Sequence, residues 1–225
     1  GTPRLSVKEK FKNGTYTLTF RQQTPPTPGQ KHKKPRVIPI AVGLLNPNGD
    51  EVVPTTVLEM TKRQQSFSFD GLAARPIPSI LRNFSAPVIL DRDTTNAERA
   101  FLLAHDTDPF NKWEAGRALA RDVLMQLVLH GTPPDAAYLD GLLTVVRNDA
   151  LDPAFRALVL ARPGADEIAQ ALFDAGHTPD PQAIYDASET LALTVAQHLK
   201  DVLPRLYADM NVDGPYHPDA ASAGK

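Results

Sequence analysis

The sequence predicts an α+β protein of two domains. An antiparallel, fibronectin-like β-sandwich occupies residues 1–93, and an all-α, solenoid-like helical array occupies residues 94–225. Three observations predict this. Up to Leu90, apolar residues recur at every second position, the period of a half-buried strand. After Asn96 they recur at every third and fourth, the period of an amphipathic helix. The change falls between Asp91 and Asn96: Val88-Ile89-Leu90 closes the strand-like text, and Thr95 with Glu98 has the spacing of a helix capping box.

The sandwich opens with a hairpin. Leu5, Val7 and Glu9 alternate with Ser6, Lys8 and Lys10, Asn13-Gly14 is a two-residue turn, and Tyr16, Leu18 and Phe20 share one side of the return strand. Thr24 to Pro35 is rich in Pro and Lys without a hydrophobic period, and reads as an exposed loop. Val37 to Leu45 is a strand whose Pro39 requires an edge or a bulge. After the turn Asn46–Asp50, Val52-Val53 and Val57 to Met60 form one broken strand or two. Phe67 and Phe69 alternate with serines, Asp70-Gly71 ends that strand, and Ile80-Leu81 and Val88-Ile89-Leu90 complete a series of about seven. This half holds neither a Cys pair nor a Trp, so it is fibronectin-like rather than an antibody domain.

Six helices follow, over 95–105, 109–130, 135–148, 153–161, 165–175 and 181–210. Asp108-Pro109, Asp152-Pro153 and Asp180-Pro181 each place a capping carboxylate before a proline that needs no amide partner. In the second helix Trp113, Ala120, Val123 and Leu127 lie on one face, and Gly131 closes it behind His130. In the last, Ile184, Leu191, Val195, Leu199, Val202 and Leu206 form a stripe that Pro204 is expected to kink. Short connections imply antiparallel neighbours, as in a helical-pair array. The text after Met210 reads as a frayed tail.

Composition excludes several classes. Hydrophobic residues make up 42% and no apolar run is long enough to span a bilayer, so no membrane partner is expected. There is no cysteine for a disulfide or a thiolate metal site, and the first residues lack a signal-peptide core, which together point to the cytoplasm. Residues 1–93 carry 14 Lys+Arg against 7 Asp+Glu, a charge of +7, and the remainder 10 against 19, a charge of −9. The densest cations are Lys31, Lys33, Lys34 and Arg36. Without interleaved aromatic residues they make a poor nucleic-acid site and read as a solvated loop or a face for an acidic neighbour.

No chemistry is legible in the residues themselves. None of His32, His105, His130, His177, His198 and His217 has the partner spacing of a zinc helix, and no nucleophile elbow, phosphate loop or dinucleotide fingerprint is present. His105-Asp106-x-Asp108 is a candidate ligand cluster, but Asp108 is better used as a helix cap. Asp91 with Asp93 and Asp149 with Asp152 sit at element ends, and Trp113, Phe110 and Tyr138 read as core rather than as a ligand pocket. The sequence therefore assigns no catalytic, cofactor-binding or metal-binding residue.

A resemblance supplies what the residues do not. Arg82-Asn83-Phe84-Ser85-Ala86-Pro87-Val88, then Leu102-Leu103-Ala104-His105-Asp106-x-Asp108-x-Phe110-Asn111-x-Trp113-Glu114-Ala115, strongly resembles the bacterial aminopeptidase N group of the zinc-dependent gluzincin family. The opening Gly1-Thr2-Pro3 with Val7, Tyr16-Thr17-Leu18-Thr19 and Gln22-Gln23-Thr24-Pro25-x-Thr27-Pro28 are similar to the start of that family's third domain. The resemblance is densest over 1–45 and 80–120. It implies a third, β-sandwich domain at 1–93 and the first half of a helical fourth domain at 94–225.

It implies in turn a parent zinc metallo-aminopeptidase that removes N-terminal residues from peptides, with this non-catalytic portion as the spacer and helical wall that shapes access to the zinc cleft. The family's H-E-x-x-H and G-x-M-E-N motifs are absent here, so zinc is expected in the parent and none on this chain. The missing initiator Met and abrupt tail read as a cut from something longer. Contact with an absent catalytic domain is expected to bury a sandwich face and part of the helical concavity. The competing reading is a free-standing sandwich and helical-repeat adaptor with no enzyme attached.

Overall fold

The computed structural model describes residues 1–211 together with Gly214 and Pro218, so the expected frayed tail lies largely outside the described residues. The described chain divides into two compact units. One contains Gly1–Glu98 and His105–Lys112, and the other Arg99–Ala104 and everything from Trp113 onward.

The first unit is a seven-stranded sandwich: β1 Arg4–Lys12, β2 Thr15–Gln23, β3 Ile38–Leu45, β4 Glu51–Met60, β5 Gln64–Phe69, β6 Ile77–Ile80 and β7 Ile89–Asp91. One sheet has the order β5-β2-β1-β7 and the other β4-β3-β6. Lys12 pairs with Thr15 across Asn13-Gly14, whose φ values of 51° and 77° are those a two-residue hairpin turn demands. Leu5, Tyr16, Leu18 and Phe20 face Ile38, Ile40, Val42, Leu44 and Met60 in one core, which is the period-two pattern realised. Hydroxyls occupy the opposite face, where Thr17 meets Ser68 at 2.9 Å and Thr19 meets Ser66 at 2.8 Å.

Three details depart from the simplest reading. The text from Val52 to Met60 is a single strand, interrupted in register by bulges opposite Val42–Leu45, and Pro54 is accommodated because β4 is an edge. β3 is central, yet β6 pairs only with Val42–Leu45, so Pro39 lies where one side of the strand is open. β7 runs parallel to β1 over three residues, an exception in an otherwise antiparallel sandwich. The chain leaves β6 in one sheet and returns in the other, so no hairpin forces it antiparallel.

Seven helices follow among the described residues: α1 Asn96–His105, α2 Pro109–His130, α3 Ala136–Arg147, α4 Pro153–Val159, α5 Ala165–Asp174, α6 Pro181–His198 and α7 Leu203–Met210. The capping box forms, with the Glu98 amide donating to Thr95 Oγ1 at 3.2 Å and the Thr95 amide to Glu98 Oε2 at 3.4 Å. Asp152 and Asp180 accept the first amides of α4 and α6 as their positions dictate. Gly131 ends α2 at φ 63°, its amide bonded to the Leu127 carbonyl at 2.9 Å.

The expected helix over 181–210 is two helices rather than one kinked helix. Pro204 offers no amide and its ring collides with the carbonyl four residues back, so the chain leaves α6 at Leu199 and restarts with Pro204 in the first turn of α7. The helical core gathers Leu103, Leu119, Val123, Leu124, Tyr138, Leu142, Ile168, Leu172 and Leu191, with Trp113 and Leu127 packed against it. Val146, Leu199 and Val202 form a second, smaller cluster.

Candidate functional site

The most elaborate polar arrangement in the described chain is built around Arg82, inside the sandwich unit. Leu81, Asn83 and Phe84 have φ values of 62°, 54° and 50°, a left-handed excursion that L residues avoid. It is held open by specific bonds. The Asn83 amide donates to Asp108 Oδ2 at 3.0 Å, Asn111 Nδ2 donates to the Ile80 carbonyl at 2.9 Å, and the Phe84 ring meets Phe110 with centroids 5.5 Å apart.

The excursion aims Arg82 inward, where only 1% of the residue is exposed. Its Nε donates to Ser79 Oγ at 2.9 Å, Nη1 to Glu51 and to Thr55 Oγ1 at 3.0 Å, and Nη2 to Asp106 Oδ1 at 3.0 Å. Room for the guanidinium exists because position 43 is glycine: a Cβ there would lie 2.1 Å from Arg82 Cζ. Thr107 Oγ1 adds a bond to Glu51 at 2.7 Å, and Asn111 Nδ2 one to Ser79 Oγ at 2.8 Å.

The electrostatics of this knot follow from burial. Burial pushes the Asp106 carboxyl above its ordinary value, against the pull of Ser79, the Asp108 amide and Arg82. Asp106 Oδ2 is buried without a hydrogen-bond partner among the described residues. Burial would raise Glu51 too, but Arg82 and Thr107 hold it below the usual carboxylate range. Lys112, 4% exposed, is brought down to about 8 by burial, with Asp106 opposing the shift. His105 is lowered by burial and by the Lys112 charge.

Since native Lys112 loses its proton near pH 8 and the unfolded side chain keeps it to about 10.4, the unfolded state binds more protons across that window. Stability of the sandwich unit is therefore expected to rise from about pH 8 toward pH 10, and that gain to be absent below. In Lys112→Met the rise should vanish, which urea unfolding at successive pH values measures; an unchanged slope would refute the assignment.

The residues weighed from sequence are now placed. Asp108 caps α2, accepting the Asn111 amide at 2.8 Å, and Asp106 pairs with Arg82, so His105-Asp106-x-Asp108 is a structural joint. Asp149 pairs with Arg156 at 3.1 Å while Asp152 caps α4, and Asp91 ends β7. His198 faces Asp140 at 3.1 Å, His130 ends α2, and His32 lies in the basic loop; His217 is outside the described residues. Tyr138 is core, Phe110 stacks on Phe84, and Arg117 lies 5.7 Å over the Trp113 ring.

Among the described residues no group of three or more His, Asp or Glu could hold a metal ion. What sequence reasoning missed is Arg82 with Glu51, Thr55 and Ser79. Their separations in the chain give no local period, and the nearest signal was the Arg82-Asn83-Phe84 text itself.

An Ig-like sandwich followed by an array of armadillo-type helical pairs is the class that these elements define. Residues 1–93 match the domain of unknown function DUF3458, described as an Ig-like fold, and residues 96–225 match DUF3458_C, described as ARM repeats. The chain belongs to the DUF3458 family and is homologous to the C-terminal, non-catalytic portion of aminopeptidase N.

Similarity to aminopeptidase N of Caulobacter vibrioides is 40% identity over 188 residues, covering 82% of this chain and 21% of that protein. The Escherichia coli aminopeptidase N is 35% identical over 222 residues, covering 92% of this chain and 25% of the relative. The crystal structure of Legionella pneumophila aminopeptidase A in complex with aspartic acid shares the fold, with a TM-score of 0.81 at 22% identity, over 100% of this chain and 26% of that one. The chain thus spans about a quarter of the length of these relatives.

Proposed function

We propose that this chain is the spacer and helical wall of a zinc metallo-aminopeptidase that removes N-terminal amino acids from peptides. The observation that carries the reading is the partial match: relatives named aminopeptidase N align over a quarter of their length, and this sequence holds neither H-E-x-x-H nor G-x-M-E-N. In this reading zinc and peptide are handled by a separate catalytic domain, in the cytoplasm, with the domain boundary of this portion at residues 93 and 94. The sandwich sets a distance, and the helical array narrows the approach to the zinc cleft so that small peptides enter and bulk water is limited.

Support also comes from the surface of the helical unit. Leu158, Phe173, Tyr185, Leu193 and Tyr207 are large and exposed, and a groove of about 380 Å³ is lined by Val146, Leu160, Leu203, Leu206, Tyr207 and Met210. Faces of this kind are expected where a helical array continues or meets a neighbouring domain. No helix among the described residues is long and apolar enough to cross a membrane.

The purified chain, supplied with zinc, is expected to hydrolyse aminoacyl p-nitroanilides no faster than buffer and to retain no stoichiometric metal by atomic absorption. The reading frame that carries it should encode H-E-x-x-H ahead of Gly1. Hydrolysis by the chain alone, or a frame without that motif, overturns the proposal and in the second case leaves the adaptor reading.

A further inference from the structure

The loop between β2 and β3 closes on itself over a concavity that the aminopeptidase reading does not use. Its turn is tied by the Gln30 amide to the Thr27 carbonyl at 2.9 Å and the Thr27 amide to the Gln30 carbonyl at 3.2 Å. Lys33 Nζ donates to Thr27 Oγ1 at 2.7 Å and to Gln30 Oε1, which commits two of its three protons to neutral acceptors. The base of the loop is anchored by Gln22, only 4% exposed. Gln22 Nε2 donates to the Arg36 carbonyl at 2.8 Å and the Lys62 carbonyl at 3.1 Å, and Gln22 Oε1 accepts the Arg36 amide at 2.8 Å. Pro25, Pro26, Pro28 and Pro35 fix φ at four further positions, which narrows the conformations open to the loop.

The concavity, open to solvent, is about 240 Å³ and is lined by Lys31, His32, Lys33, Lys34 and Arg63 with Gln23 and Thr24. Among the described residues no carboxylate forms an ion pair with Lys31, Lys33, Lys34 or Arg63. Among the described residues, the carboxylates of this unit that form ion pairs, Glu9, Glu51, Glu98 and Asp106, do so with Arg75, Arg92 and Arg82. The side chains of Lys31, Lys34 and Arg63 make no hydrogen bond or ion pair with any described residue. Converging like charges raise one another's energy, and a concavity that gathers them without an ion pair is stabilised by a compact anion. Ammonium and guanidinium groups recognise phosphate and carboxylate oxygens through charge-assisted bonds.

We propose that this pocket binds a small multivalent oxyanion, a polyphosphate or a polycarboxylate, on the sandwich unit. The concavity and its polar lining favour a small anion over a flat acidic protein face, and the absence of an aromatic platform disfavours a polynucleotide.

Isothermal titration of the whole chain with sodium pyrophosphate and, separately, with citrate is the test. Saturable one-to-one binding of either supports the proposal, the pyrophosphate arm assigning a phosphate source and the citrate arm a carboxylate source. Lys31→Gln/Lys34→Gln and Arg63→Gln should each weaken binding by about tenfold or more, as expected for loss of a charge-assisted bond, with an unchanged thermal midpoint because these side chains are exposed. Lys8→Gln/Lys10→Gln, which removes equal charge from β1, should leave binding unchanged. No saturable binding of either anion, an equal loss in the Lys8/Lys10 control, or tighter binding of a single-stranded oligonucleotide than of pyrophosphate overturns it.

Discussion

Arg82→Ala is expected to destabilise the sandwich unit by about 3–5 kcal/mol, the range for breaking a buried ion pair from one side. The change strips the buried Asp106 carboxylate of its guanidinium partner and leaves Ser79, Thr55 and Glu51 without the donor that organises them. It also empties the space beside Gly43, where the missing Cβ had made room for the guanidinium. The measurement is urea unfolding followed by far-UV circular dichroism.

A double substitution separates the two contributions. In Arg82→Leu/Asp106→Leu both charges of the pair are gone, and the loss should be clearly smaller than in either single variant, because neither member of the pair is then left buried without the other. Additive losses would mean that the knot contributes through shape rather than charge. Gly43→Ala should also destabilise, by about 1–3 kcal/mol, as overpacking against a side chain that is itself hydrogen-bonded on all three nitrogens.

Leu103→Ala is the second large effect, at about 3–5 kcal/mol in the helical unit. Leu103 is fully buried, and two glycines admit it: a Cβ at Gly116 would lie 2.9 Å from its Cδ1, and one at Gly141 3.0 Å from its Cδ2. Truncating it leaves a cavity walled by the backbone of two helices, which cannot collapse as flexible side chains would. Trp113, the single tryptophan, packs against the same cluster and reports the transition by fluorescence. Gly116→Ala should destabilise alone yet partly rescue Leu103→Ala, since the new methyl enters the space vacated. Full additivity of the pair would show that the two positions do not share that space.

Local pattern made much of this architecture legible. Asn13-Gly14, the alternation through Phe20, the Thr95–Glu98 box and the Asp-Pro starts of α2, α4 and α6 are short-range devices, each complete within a few residues, and each forms as read. Pro204 was legible as an interruption, but whether a proline bends a helix or ends it depends on what neighbouring groups accept the freed carbonyls, and here the helix ends. The polar knot was not legible at all. Glu51, Ser79, Arg82 and Asp106 come from well-separated positions, and no period links them.

By itself, then, the order of residues determined two periodicities, the place where one gives way to the other, the caps and turns that punctuate them, and the lack of the peptidase motifs. Those are properties of neighbours, set by backbone sterics and by hydrogen bonds that reach a few residues. Only the tertiary structure decided that Arg82 turns inward through three left-handed residues, that a glycine at 43 receives it, and that Lys112 is buried deeply enough to titrate near 8. Charge in a protein interior depends on what surrounds it in space, and that surrounding does not exist until distant parts of the chain have met.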